Sequence, residues 1–136
     1  MNMSSQKGFT LIELVLVIAI LGILSISALP RFMSLATDAE NASKDGVLGA
    51  VRSAVVMSRA ESMINDGGDG VFPATLDAEA AGECANCFSS ILSSGISDPS
   101  WQKIDNQTYS FDDGTGAVNY EYDSATGTFV EAAAAP

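Results

Sequence analysis

Histidine is absent from the 136 residues. Its absence removes the Ser-His-Asp and Cys-His nucleophile arrangements and most catalytic zinc sites. Basic residues are scarce, six Lys and Arg against seventeen Asp and Glu, for a formal net charge of −11. That balance argues against a nucleic-acid backbone as primary partner and makes approach to anionic surfaces salt-sensitive. Only two cysteines occur, Cys84 and Cys87, so a zinc site would lack two ligands. The chain is too short for a barrel enzyme or a two-domain dinucleotide enzyme, and fits one domain with an appended segment. No nucleophile–base pair, metal cluster or phosphate loop stands in the sequence. The expectation is a protein that is not an enzyme and carries no cofactor or metal.

Apolar residues make up 47% of the chain, which excludes a disordered acidic tail. The charge is segregated. Residues 61–136 hold thirteen acids and one base, Lys103, whereas the first sixty hold four acids and five bases. The two halves are therefore expected in different surroundings.

Residues 9–29 form an apolar run with one charge, Glu13. As a helix the run would rise roughly 31 Å, the thickness of a hydrocarbon core. It is too long for a secretory signal, and no small-residue cleavage pattern follows it. Lys7 precedes the run, so the N-terminus should stay cytoplasmic and the remainder face outward. Helical spacing continues past Pro30, which should kink the helix, with Gly22 a second soft point. Beyond it, Asp38, Asp45, Arg52 and Arg59 recur every seven residues. Gly46 and Gly49 weaken the helix locally and admit a close neighbour. Asn65-Asp66-Gly67-Gly68 is a stop, giving one helix over residues 9–64, roughly 84 Å long. Its second half is amphipathic and needs a cover.

Residues 65–98 read as an irregular connection containing both cysteines, with a short helical turn over 88–92. After Pro99 the period changes to two. Strands are expected around Trp101–Asp105, Tyr109–Phe111, Val118–Tyr122 and 128–131, joined by Asp/Gly turns into an antiparallel meander. Its apolar face would cover the amphipathic helix half. The aromatic residues Trp101, Tyr109, Phe111, Tyr120, Tyr122 and Phe129 fit packing between sheet and helix better than a carbohydrate platform. Asp66-Gly67-Gly68-Asp69 and Asp112-Asp113 have oxygen ligands suited to calcium but lack the spacing of a full loop, and read as solvated turns. An outward topology places Cys84 and Cys87 in an oxidising compartment, where a disulfide is expected. A redox-active pair would want a βαβ context that is missing.

The informative stretch is Lys7-Gly8-Phe9-Thr10-Leu11-Ile12-Glu13. A carboxylate inside a lipid-compatible helix costs about 2.5–3.5 kcal/mol if unpaired, so a positive partner is required. The apolar run offers none. A cut after Gly8 would create one, the α-amine of Phe9. The stretch resembles the cleavage and methylation motif of type IV prepilins. The resemblance implies that a membrane aspartyl peptidase cuts between Gly8 and Phe9 and methylates the Phe9 amine. The remaining chain would then enter a helical filament, with Glu13 paired to a neighbouring copy's Phe9 amine. Gly22 and Pro30 fall where helices of that family soften. In the C-terminal half, Cys84-x-x-Cys87-Phe88, Ser97-Asp98-Pro99-Ser100-Trp101 and the run from Tyr120 to Phe129 resemble mannose-sensitive-haemagglutinin (MSHA-type) pilins.

The implied fold is α+β, the type IV pilin fold. A long N-terminal helix, transmembrane in its first half, packs by its second half against a C-terminal antiparallel sheet. The segments are a leader (1–8), a transmembrane and filament-core helix (9–29), its amphipathic half (30–64), a connecting loop with the Cys pair (65–98), the sheet (99–131) and a tail (132–136). The implied function is a pilus subunit for attachment, with possible motility. Its partners would be copies of itself, the prepilin peptidase, the inner-membrane assembly machinery and minor pilins. It would be an inner-membrane precursor and then part of an extracellular fimbrium. The alternatives are a type II secretion pseudopilin, for which a calcium requirement would speak, and a membrane-anchored enzyme or binding protein.

Overall fold

The computed structural model describes residues 8–133. Lys7 with most of the expected leader, and residues 134–136 of the expected tail, lie outside the described residues. The chain divides into two compact units, Met1–Asp38 and Ala39–Pro136. One helix, α1 (Leu11–Asp66), contributes to both. Five strands follow: β1 (Gly82–Cys87), β2 (Ile96–Lys103), β3 (Thr108–Asp112), β4 (Ala117–Asp123) and β5 (Thr128–Glu131). The α+β class with a long N-terminal apolar helix and an antiparallel sheet is thus the observed fold.

In the second unit the sheet is a simple antiparallel meander, β1-β2-β3-β4-β5. Its period-two pattern sends one face inward. Trp101 pairs with Phe111, Tyr109 with Tyr120, and Tyr122 with Phe129, and all six side chains are buried. Leu48, Val51 and Val55 stand at i, i+3 and i+7 on α1 and are the buried residues of that helix. They join the sheet aromatics and Phe88 in one core. The rings meet edge-on or tilted; Phe88 lies 5.8 Å from both Trp101 and Phe129 and 4.4 Å from Tyr109. The aromatic residues are therefore core, not a surface platform. Arg52 Nε donates to the Phe129 carbonyl at 2.9 Å, and Asn41 Nδ2 to Asp113 at 3.2 Å, tying helix to sheet.

Three features depart from the sequence reading. The segment Gly82–Cys87, expected as irregular connection, is an edge strand. It carries no alternation because its ladder with β2 breaks twice, between Glu83 and Cys84 and between Cys84 and Cys87. The first expected strand also begins earlier, at Ile96, and ends at Lys103, because Asp105 caps the following turn by accepting from the Gln107 and Thr108 N–H groups. Pro99 is tolerated inside β2 because the ladder to β1 is irregular there and β3 pairs only from Trp101 onward. Gly46 and Gly49 meet no neighbour: a Cβ at either would find nothing within 4 Å.

The loop after α1 is tied down rather than free. Arg59 stacks over the Phe72 ring at 4.6 Å and donates to the Asp69 carbonyl at 3.1 Å. The Tyr122 hydroxyl donates to the Pro73 carbonyl at 2.7 Å. Phe72 in turn lies against Gly127, whose φ is +70° and whose missing Cβ would overlap the ring. Gly127→Ala therefore combines left-handed strain with overpacking and should cost roughly 3 kcal/mol. Gly114→Ala, at φ +84° with open space around it, meets only the strain. Thermal unfolding of the full chain in detergent, followed by Trp101 fluorescence, should show a clearly larger fall in Tm for Gly127→Ala than for Gly114→Ala. Equal shifts would show that Phe72 yields freely.

Candidate functional site at the start of the apolar helix

In the first unit α1 has no cover among the described residues. The large apolar side chains from Leu11 to Leu29 are 48–80% exposed, and Phe9 is 93% exposed. Helical hydrogen bonding satisfies the backbone, and the Ser25 hydroxyl donates to the Leu21 carbonyl at 2.7 Å, so this stretch is compatible with lipid. The helix is long and apolar enough to cross a membrane. It is assigned as helix through Gly22 and Pro30, although Pro30 has no N–H to donate.

The helix start is built by Thr10 and Glu13. The Thr10 hydroxyl oxygen accepts from the Glu13 N–H at 3.3 Å. One Glu13 carboxylate oxygen accepts from the Thr10 N–H and from the Thr10 hydroxyl, each at 2.8 Å. This is a reciprocal capping box: Ncap threonine, N3 glutamate, and two otherwise orphaned donors satisfied. The carboxylate also sits at the positive end of the helix dipole. Thr10-x-x-Glu13 was legible as this signature, yet sequence reasoning treated Glu13 only as an acid in oil. Capping satisfies hydrogen bonds but leaves a full negative charge. Phe9, Glu13, Leu14 and Val17 line a shallow groove around it. The structure thus brings Phe9 and Glu13 together. Gly8 is exposed just before them, and Gly22 and Pro30 lie further along the same helix.

In the second unit Cys84 and Cys87 form a disulfide, both nearly fully buried. Phe88 follows directly with φ +61°, a left-handed conformation unusual for a bulky residue. That turn delivers the Phe88 ring to the core and aims its N–H at Asp77, to which it donates at 2.8 Å.

Asp77 is the residue that sequence reasoning missed. It is 2% exposed, as is Lys103. Lys103 Nζ lies 2.6 Å from one Asp77 oxygen and also donates to the Glu79 carbonyl at 2.8 Å. The other Asp77 oxygen accepts from the Tyr109 hydroxyl at 2.7 Å. Burial pushes the Asp77 carboxyl up, but Lys103, the Phe88 N–H and the Tyr109 hydroxyl together hold it below the usual range. Burial, with the neighbouring Asp77 charge, pushes the Tyr109 hydroxyl well above its ordinary value. Each of these buried groups has a hydrogen-bond partner within the cluster, so its role is structural. The turn aspartates serve their own loops: Asp113 accepts from the Thr115 hydroxyl and N–H, and Asp112 from the Gly114 N–H.

A profile described as the prokaryotic N-terminal methylation motif matches residues 3–29. The chain is 36% identical over 102 residues to the type IV narrow pilus major component PilA5 of Thermus thermophilus, covering 75% of this chain and 74% of that protein. It is 47% identical over 53 residues to the type IV major alpha-pilin of Moraxella bovis, 39% of this chain and 33% of that protein. It is 29% identical over 119 residues to the type IV major fimbrial protein FimA of Dichelobacter nodosus, 88% of this chain and 64% of that protein. No solved structure gives a significant match.

Proposed function

Because the chain belongs to the type IV pilin family and is a structural pilus subunit rather than an enzyme, we propose that it is made as a prepilin, cut between Gly8 and Phe9, and methylated on the Phe9 amine. Subunits of this family form filaments of pilin copies, and the relatives above are pilins, which disfavours the secretion pseudopilin. One observation carries the finer reading. An apolar helix that the described residues leave uncovered begins with a carboxylate that is capped but has no ion-pair partner among them, one turn from where cleavage would free an amine.

Before assembly the helix resides in the inner membrane; afterwards sister helices cover it and the product is a surface fimbrium. Glu13 pairs with the Phe9 amine of the adjacent copy. Gly22 and Pro30 are where the helix bends to fit its bundle. The partners are the peptidase, the inner-membrane assembly machinery and minor pilins, and the role is attachment, within the MSHA-type subgroup that the C-terminal motifs resemble. Mass spectrometry of subunits sheared from cells should find N-methylated Phe9 as the first residue. A retained Met1 or Lys7 would defeat the processing.

A further inference from the structure

The Asp77 cluster holds an amine against a carboxyl in a dry site. Lys103 and Asp77 are each 2% exposed. Lys103 Nζ donates to Asp77 Oδ1 at 2.6 Å, and Oδ1 also accepts from the Glu79 N–H at 3.1 Å. The other oxygen, Oδ2, accepts from the Tyr109 hydroxyl at 2.7 Å and from the Phe88 N–H at 2.8 Å. A further Nζ proton goes to the Glu79 carbonyl at 2.8 Å. The two oxygens of one carboxyl are therefore in different surroundings. One takes a proton from an amine, and the other faces two fixed, uncharged donors.

That division is what condensation of an acid with an amine requires. In water the reaction is opposed because both ions are well hydrated; here folding has already removed that water. Fixed contact replaces a bimolecular encounter. Transfer of one proton from Nζ to Oδ1 turns the ion pair into a neutral acid and a neutral amine. No net charge is created, and a low-dielectric site lowers the cost of reaching that neutral pair. The Nζ lone pair then adds to Asp77 Cγ. Negative charge develops on Oδ2, where Tyr109 and Phe88 donate in the manner of an oxyanion hole. A second Nζ proton moves to Oδ1, the Cγ–Oδ1 bond breaks and one water leaves. The third proton stays on nitrogen as the amide N–H, beside the Glu79 carbonyl. One C–N bond forms, one C–O bond breaks, and nothing is oxidised or reduced.

We propose that Lys103 and Asp77 condense into an intramolecular isopeptide bond, with the Tyr109 hydroxyl and the Phe88 N–H stabilising the oxyanion. The freshly folded chain holds the ion pair described above. Its hydrogen bonds keep the carboxyl ionised, so the neutral pair is a minor form and the amide accumulates slowly with age. The cross-link ties the loop after α1 to β2 across a separation of 26 residues and restrains that part of the second unit against unravelling. It is independent of the processing and filament readings above.

Peptide mapping by mass spectrometry tests it. The full chain in detergent is taken fresh and after prolonged incubation at neutral pH, then reduced and digested with trypsin. Without the bond, cuts after Arg59 and Lys103 release residues 60–103 and 104–136. With it, Lys103 is blocked and one fragment, 60–136, appears, lighter by one water. Further cleavage after glutamates should leave two peptides joined through Asp77 and Lys103, which tells the amide from a succinimide formed at an Asp-Gly step. Lys103→Arg keeps a cation beside Asp77 but has no amine to condense, and should give no joined peptides. Tyr109→Phe removes one oxyanion donor and should slow the water loss at least about tenfold. An aged wild-type chain that is still cut at Lys103 with its full mass, or joined peptides from Lys103→Arg, would overturn the bond. An unchanged rate in Tyr109→Phe, its folding checked by Trp101 fluorescence, would overturn the part given to the hydroxyl.

Discussion

Replacing Glu13 with valine should lower the number of fibres about a hundredfold while the subunit still accumulates in the membrane. In lipid an unpaired carboxylate costs about 2.5–3.5 kcal/mol, and under the proposed pairing neutralisation by a neighbour's Phe9 amine offsets that cost on assembly. Valine pays no such cost in lipid and so gains nothing by leaving it. At 1.4 kcal/mol per decade, about 3 kcal/mol is roughly a hundredfold. The capping box adds a control. Glu13→Gln keeps an oxygen that can accept from the Thr10 N–H but removes the charge. It should assemble as poorly as the valine variant when fibres are counted by electron microscopy. Normal fibres from Glu13→Gln would mean that helix capping, not charge, is the role of this residue.

Lys103→Met should destabilise the second unit by about 3–5 kcal/mol, because it strands the Asp77 carboxylate in a buried site. The double variant Asp77→Asn/Lys103→Met should lose less than Lys103→Met alone, since no uncompensated charge remains. Thermal unfolding of the full chain in detergent measures both, and a double variant that is the worse of the two would reject the ion pair as the dominant effect. The pH dependence has a definite sign. The Asp77 carboxyl is held below its ordinary value in the folded state. Its stabilisation is therefore full above the unfolded value near 3.9 and is lost as pH falls through the lower folded value. Hydrogen bonds to their own turns hold Asp105, Asp113 and Asp123 down as well: the Gln107 N–H first for Asp105, the Thr115 hydroxyl for Asp113 and the Ala125 N–H for Asp123. Wild type should thus lose Tm on acidification below about pH 4. In Lys103→Met the stranded carboxyl is raised by burial instead, so the variant should gain stability as pH falls from neutrality towards 5.

Local chemistry decided what could be read in advance. The apolar run, the acid within it and the Asp/Gly turns are contiguous signals, and from them came the helix, the meander and the inward aromatic residues. The helix end was placed at Ile64 and lies at Asp66, a difference of capping detail. Gly82–Cys87 was invisible as a strand because two ladder breaks and a short disulfide loop erase its alternation. The Asp77–Lys103 pair was invisible because the partners stand 26 residues apart. Only the wrap of the loop beneath the meander joins them. Lys103 sat in a legible alternation with Trp101, but a lysine on an inward face has meaning only once its carboxylate is known.

The naked apolar helix has an energetic corollary. Lipid tails and leucine side chains are about equally greasy, so moving this segment from a bilayer into a bundle of its own kind exchanges one nonaqueous solvent for another. Oil–water partitioning, which drives most association, contributes little to that transfer. The helix can therefore commute between reservoir and polymer at small net expense, and a handful of electrostatic contacts suffices to tilt the traffic one way.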